Sequence, residues 1–443
     1  MATEEGSVVS SAADDPRPRS GRASGRAGDG RPVAAQEPPD GPVGVVLAGA
    51  GARGAYEVGV LSVLLPALED QNHRPTIFVG TSAGSINAVL FASLAHLPAE
   101  LAVREALARW RLIRRQMVMR PAWQTLPMVA VRYLARLAGL PVELRGLIDT
   151  TPLHDSLQSS TLVDWPQLHE NVLDGTVDVV SVVTTEFGSN RTKVFFESSR
   201  DEFKKPLPSD EERAVDFAHI DLTPEHVLAS AAIPAAFPPV RLGTDQDASW
   251  HMDGGVRLNT PLKPALTFGA RGLVVIATDP ARYRTSPSNQ AAGPAPSVQD
   301  GIDQIVHGYA SDGMIADLWN LIRINVLLDA TGNPQVARPN STSVLDDVYR
   351  VVPFIFGGPL VPGEIGGTAA TALDVSLQGL RALRNPDLSA LRFLLGSGTA
   401  TRADLISYLF FEPEFIDAAI QRGQDDAQVI LQQTPSLWKT TQL

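Results

Sequence analysis

TIFVGTSAG, residues 76–84, is an apolar run that ends in Gly80-Thr81-Ser82-Ala83-Gly84, and residues 82–94 follow it with helical spacing. Gly-x-Ser-x-Gly between a strand and a helix reads as a nucleophile elbow. Its glycines permit a turn sharp enough to lift the serine oxygen clear of a sheet, at the positive end of a helix. An ordinary helix start with Ser82 as N-cap fits the same letters. A serine nucleophile also needs a base and a site for the developing oxyanion, so the rest of the chain decides between the two.

Upstream, residues 45–59 read VVLAGAGARGAYEVG and contain Gly49-x-Gly51-x-x-Gly54. This is the spacing of a dinucleotide-binding fingerprint, which requires an Asp or Glu at the end of the second strand. Glu69 and Asp70 precede that strand instead. The loop suits an oxyanion better: small residues let backbone N–H groups converge on a negative oxygen, and the helix behind adds its dipole.

For the base, histidine is the usual expectation, but none of the eight sits in an obvious motif. Residues 251–261, HMDGGVRLNTP, offer Asp253, with Gly254 and Gly255 to let its carboxylate approach another loop. A rival is a Ser82–Asp279–His307 triad: GLVVIATDP ends a strand at Asp279, and His307 follows in the chain order of an α/β-hydrolase. That rival leaves Asp253 and its glycines unexplained.

Composition and patterning set the frame. The chain has 443 residues, 44% of them hydrophobic, enough for a large core. A net charge of -12 argues against nucleic acid as a partner. The absence of cysteine excludes thiol catalysis and Cys-ligated zinc. Residues 1–41, rich in Ala, Gly, Pro, Ser, Arg and Asp, are expected to be disordered. Strands are expected at 43–47, 76–79, 177–184, 193–197 and 272–277, with helices at 55–68 and 82–94, which gives an α/β sheet covered on both faces. A Pro/Ser/Gly-rich stretch at 286–298 reads as a flexible loop. Helices are expected beyond 299, at 302–328, 372–384 and 388–395. The organisation expected is a catalytic domain over 42–285 and a mostly helical C-terminal region over 299–443 packed on it. Neither a secretory h-region nor an apolar stretch of roughly 20 residues is present, so a cytoplasmic place is expected.

Gly49-Ala50-Gly51-Ala52-Arg53-Gly54, Gly80-Thr81-Ser82-Ala83-Gly84 and Asp253-Gly254-Gly255, in this order, resemble the patatin-like phospholipase family. ASAAIPAAFPPV at 229–240, TPLHDSL at 151–157 and YLFFEPEFIDAAIQRG at 408–423 extend the likeness. The resemblance implies a three-layer fold with a central, mostly parallel sheet and a helical C-terminal extension. It implies a Ser82–Asp253 dyad without histidine, and an oxyanion hole from the amides of Gly49, Ala50 and Gly51. Arg53 matches the loop's basic residue, which would fix the loop or meet a lipid phosphate. Gly54, Gly80, Gly84, Gly254 and Gly255 support the motifs. Ala50 departs from the glycine often found there, which keeps the amide but restricts its conformation.

The implied activity is hydrolysis of phospholipid or lysophospholipid acyl esters, with no metal and no cofactor. Two alternatives stay open, a carboxylesterase acting on other esters through the triad and an inactive lipid-binding module. Residues 101–145 interleave Arg104, Arg109, Arg111, Arg114, Arg115, Arg120, Arg132, Arg136 and Arg145 with apolar side chains. Such helices can rest in a membrane interface, and this segment is expected to cap the site and to contact lipid peripherally. Surface helices with arginines facing water would look the same. Nothing in the sequence indicates an oligomeric state.

Overall fold

The runs VGVVL, PTIFVGT and GLVVI offer no stripe of polar side chains to water, so they belong where a sheet is covered on both faces. They form its centre: β1 (Val43–Leu47), β2 (Pro75–Thr81) and β8 (Gly272–Ile276). The full order is β11–β8–β1–β2–β3–β4–β5, with β3 at Val179–Glu186, β4 at Thr192–Glu197, β5 at Val215–His219 and β11 at Phe354–Gly357. Every pairing from β11 to β3 is parallel, and β3 meets β4 antiparallel. The computed structural model describes residues 38–141, 143, 145–244, 247–282, 298–333, 335–337, 348–376, 407–433 and 437–441.

Alternate strand residues feed two cores. Val45, Leu47, Phe78, Val180 and Val182 face α1 (Gly54–Asp70), α2 (Ala83–Ser93), α3 (Ala99–Leu112) and the C-terminal helix α12 (Pro413–Gln433). Val46, Ile77, Val79, Val183 and Val275 face α9 (Leu262–Thr267) and α10 (Val298–Thr331). The result is the three-layer arrangement expected, and its period-2 alternation is what a strand's pleat imposes. The helical C-terminal region includes α10, α11 (Glu364–Ser376) and α12. α12 lies along α1, where the Tyr56 hydroxyl donates to Asp426 at 2.9 Å inside the protein.

One register detail positions the site. β2 pairs with β3 only as far as Thr81↔Val183, and there it turns away at Ser82. β7 (Ser249–Asp253) takes up the vacated flank of β3 antiparallel, beginning with Thr184↔Asp253. The end of β2 and the end of β7 therefore meet at one edge of the sheet. β1 is in register with β2 through Leu47↔Gly80, so the glycine loop leaves the sheet at the same edge.

The expected helices at 55–68 and 302–328 fall within observed helices, and the expected strands and the helix at 82–94 match observed elements to within two residues at each end. β5, β6 (Val240–Leu242), β7 and β11 were not anticipated. Of the segment expected to be disordered, residues 1–37 lie outside the described residues, while Pro39 is buried near Gly272. The loop at 286–297, the helix at 388–395 and the part of 372–384 beyond Ser376 also lie outside them.

Candidate active site

Ser82 stands between β2 and α2 with φ 54° and ψ -125°, a backbone conformation that side-chain-bearing residues rarely adopt. Holding a serine there costs on the order of 1–3 kcal/mol, which the surrounding bonds must sustain. The Ser82 amide donates to Ser230 Oγ at 2.9 Å, and that hydroxyl donates to the Val183 carbonyl at 2.6 Å. The Ser85 amide and hydroxyl both bond the Ser82 carbonyl. Glycine is required on both sides because the backbone folds onto itself: a side chain at Gly80 would collide with the Gly84 carbonyl, and one at Gly84 with those of Leu47 and Ala48. These are the constraints of an elbow, beyond those of a simple N-cap.

Asp253 is buried where β7 ends. Its carboxylate accepts a hydrogen bond from the Gly255 amide at 2.7 Å, and the Ser82 hydroxyl lies near enough to favour its charged form. Burial pushes its pKa up to about 6, while the neighbouring Ser82 hydroxyl and the Gly255 amide favour the charged form. The Asp253 amide bonds the Ala232 carbonyl, so the 229–240 stretch braces both members of the pair. Gly254 lies against the Val183 carbonyl and Thr81.

The glycine loop departs from expectation at one amide. The Gly49 N–H is already donated to the Asn259 carbonyl at 3.0 Å, because Asn259 crosses over the loop just beyond Asp253. Among the described residues, no acceptor takes the Ala50 or Gly51 amides. Gly51 has φ 55° and lines the pocket beside Ser82. Arg53 is 1% exposed: its Nε donates to Ser407 Oγ at 2.5 Å, and its guanidinium lies 4.1 Å from the centre of the Tyr408 ring and 4.0 Å from Asp279 Oδ1. Arg53 therefore ties the loop to the C-terminal region. Asp279 is engaged there. His307 belongs to α10, and its side chain lies outside the described residues.

A narrow pocket opens on Ser82. Apart from Ser82 its walls are almost wholly apolar, including Trp110, Ile113, Val118, Leu153, Phe237 and Phe411. Trp110 is held by its indole N–H, which donates to Asn87 Oδ1 at 2.7 Å. Asn87 in turn donates to the Gly54 carbonyl and to the buried Glu57. Sequence reasoning assigned no role to Ser230, Asn259, Asn87 or Glu57. Ser230 and Asn259 lie in quoted stretches, yet their partners are distant in the chain.

The expected Arg-rich segment divides. Arg109, Arg111, Arg114 and Arg115 bond within the protein, to the Leu162 carbonyl, Asp417, the Arg111 and Ile113 carbonyls, and Glu412. Arg104, Arg132 and Arg136 are exposed, and Arg120 and Arg145, also exposed, pair with Asp149 and Glu143. The segment does wall the pocket, through Trp110, Ile113, Met117 and Val118.

The patatin-like phospholipase family model matches residues 45–266, half of the chain and all three motifs. The chain belongs to this family. Lipid acyl hydrolysis is the activity that membership carries. The crystal structure of VipD from Legionella pneumophila is similar over 89% of this chain and 67% of that one, at 13% identity and a TM-score of 0.29. No curated protein matches the chain.

Proposed function

We propose that the protein hydrolyses fatty acyl esters of phospholipids or lysophospholipids through Ser82 and Asp253. The observation that carries this reading is the placing of the Ser82 side chain beside a buried carboxylate, where the ends of β2 and β7 meet at the foot of an apolar pocket. Asp253 takes the Ser82 proton as Oγ attacks the acyl carbonyl carbon. The carbonyl oxygen becomes an oxyanion facing the Ala50 and Gly51 amides. The ester C–O bond then breaks, the proton passes from Asp253 to the departing alkoxide, and an acyl-enzyme is left. Asp253 next deprotonates water, which attacks the acyl carbon; the bond to Ser82 Oγ then breaks, the proton passes from Asp253 back to Oγ, and the fatty acid is released.

The almost wholly apolar walls accept an acyl chain. We read the C-terminal region as completing the catalytic domain, since Tyr408, Leu409 and Phe411 line the pocket and Ser407 holds Arg53. The exposed arginines of 101–145 give this reading a peripheral contact with lipid. Among the described residues, no helix is long and apolar enough to cross a membrane.

Mass spectrometry of the products from mixed phospholipids and lysophospholipids tests the proposal, with Ser82→Ala as control. Ser82-dependent release of free fatty acid is the expected result. A protein that releases none, and forms no Ser82 adduct with a fluorophosphonate, is a binding module instead.

A further inference from the structure

We propose that the end of α5 (Ala122–Leu137) and the turn after it form a docking surface for an anionic lipid bilayer. The proposal rests on the lipid reading above and names the surface from which the substrate would be drawn.

From Val131 to Leu140 every residue except Ala135 is exposed. Val131, Tyr133, Leu134, Leu137 and Leu140 are between 56% and 68% exposed. At about 100° per residue, Tyr133, Leu137 and Leu134 fall on one stripe roughly 100° wide, and Arg132 and Arg136 stand together on another side. A helix end that packs on the core buries its apolar stripe, and the stretch from Val131 to Leu137 does not. An apolar stripe flanked by arginines is the pattern of a helix lying in the headgroup region, where the arginine stems follow the apolar boundary and the guanidinium groups reach phosphate.

Charge selects the kind of surface. Residues 114–142 contain five arginines and no acidic residue, in a chain of net charge -12. At the base of α5, Arg120, Arg132 and Arg145 line an open groove. Asp149 pairs with Arg120 there, and Glu143 with Arg145, whose guanidinium also lies over the Trp250 ring.

This surface is continuous with the acyl pocket. Val118 lines the pocket and Arg120 the groove, and Phe237 and Pro238 divide in the same way. α4 (Arg115–Val118), just before α5, supplies Met117 and Val118 to the pocket. A bilayer met by α5 would lie beside the wall of the site that takes its acyl chains.

The test is flotation of the full-length chain with vesicles of phosphatidylcholine alone and of equal parts phosphatidylcholine and phosphatidylglycerol. Turnover of a water-soluble short-chain ester is measured alongside. We expect binding to the anionic vesicles only. Each arginine at such a surface contributes roughly fivefold, so Arg132→Glu with Arg136→Glu should weaken binding by at least roughly 25-fold. Leu134→Ser with Leu137→Ser should also abolish flotation, and all of these variants should turn over the soluble ester within about twofold of the parent.

Failure of the parent to float, or variants that float as it does, overturns the proposal. So does a chain that sediments as a dimer until the leucines are replaced, because the stripe would then belong to a second copy. If the leucine variant fails to fold, the exposed arginine pair decides alone. Absence of Ser82-dependent turnover of the soluble ester, with flotation intact, would instead remove the catalytic reading and leave the docking surface standing.

Discussion

The sheet edge around Ser82 and the end of α5 are built in opposite ways. At the edge, Ser82, Asp253 and Arg53 are buried, and the atoms around them are committed: the Ser82 amide to Ser230, the Gly49 amide to Asn259, Arg53 to Ser407. At the end of α5, large apolar side chains face outward. Covalent chemistry needs dipoles fixed before charge develops, so its site is desolvated and over-determined. Recognition of a fluid surface needs contact area more than fixed geometry. A change at the edge should therefore slow every ester, and a change in α5 only esters presented in a bilayer.

The largest effects test that division directly. Ser82→Ala and Asp253→Ala should each lower turnover of a water-soluble ester by roughly 10³-fold or more, by losing the nucleophile and its base. Initial rates on purified variants measure it, with His307→Ala expected to stay near the parent. If Asp253→Ala stays active and His307→Ala does not, the base belongs to the Asp279–His307 alternative.

Next is the glycine loop. Gly51 has φ 55°, and a side chain there would collide with the Tyr408 carbonyl. Gly51→Ala should displace the loop amides and cost on the order of 10²- to 10³-fold in kcat, the usual size of a lost oxyanion donor. Thermal denaturation should show it less stable as well. A variant that melts earlier but keeps kcat would mean that the loop shapes the fold without touching the reaction.

How far the sequence reached follows the same contrast. Strands buried on both faces announce themselves as apolar runs, and the elbow and glycine loop are local: each is decided by residues within a few positions. β7 reads SWHMD, with no β-branched residue and no clean alternation, so the strand that carries Asp253 was invisible even though the turn after it was conspicuous. Ser230 is 148 positions from Ser82 and Asn259 far from Gly49, and only the register of β2, β3 and β7 makes them neighbours. The Arg-rich segment was legible as composition. Which of its arginines are tied down was not, because Asp417 and Glu412 reach it from the C-terminal region and Asp149 from beyond its end.

Titration gives a smaller and more specific effect. Asp253 must be ionised to act as base, and burial raises its pKa to about 6. The value of kcat/KM on a soluble ester should be half-maximal near pH 6 and fall about tenfold for each further pH unit downward. Neighbouring histidines do not account for such a limb: burial holds His251 and His226 at about 4, so both are neutral across that range. Glu57 is also pushed up by burial, and a limb retained in Glu57→Gln assigns it to Asp253.

The same shift has a cost in stability, and its sign can be worked out. A carboxyl whose folded pKa lies above its unfolded value favours the folded state while protonated, and that contribution is lost as pH rises from about 4 to about 6. At pH 7 the ionised, buried Asp253 thus weakens the fold by roughly 3 kcal/mol relative to its protonated form. Asp253→Asn keeps the shape without the charge. It should be as stable as the parent near pH 4 and more stable at pH 7, by denaturant midpoint, while its turnover is lost. An asparagine variant no more stable than the parent at pH 7 would mean that the carboxylate is better solvated than its burial implies. The acidic limb of the activity profile should then move below pH 6 as well, so the two measurements check one another.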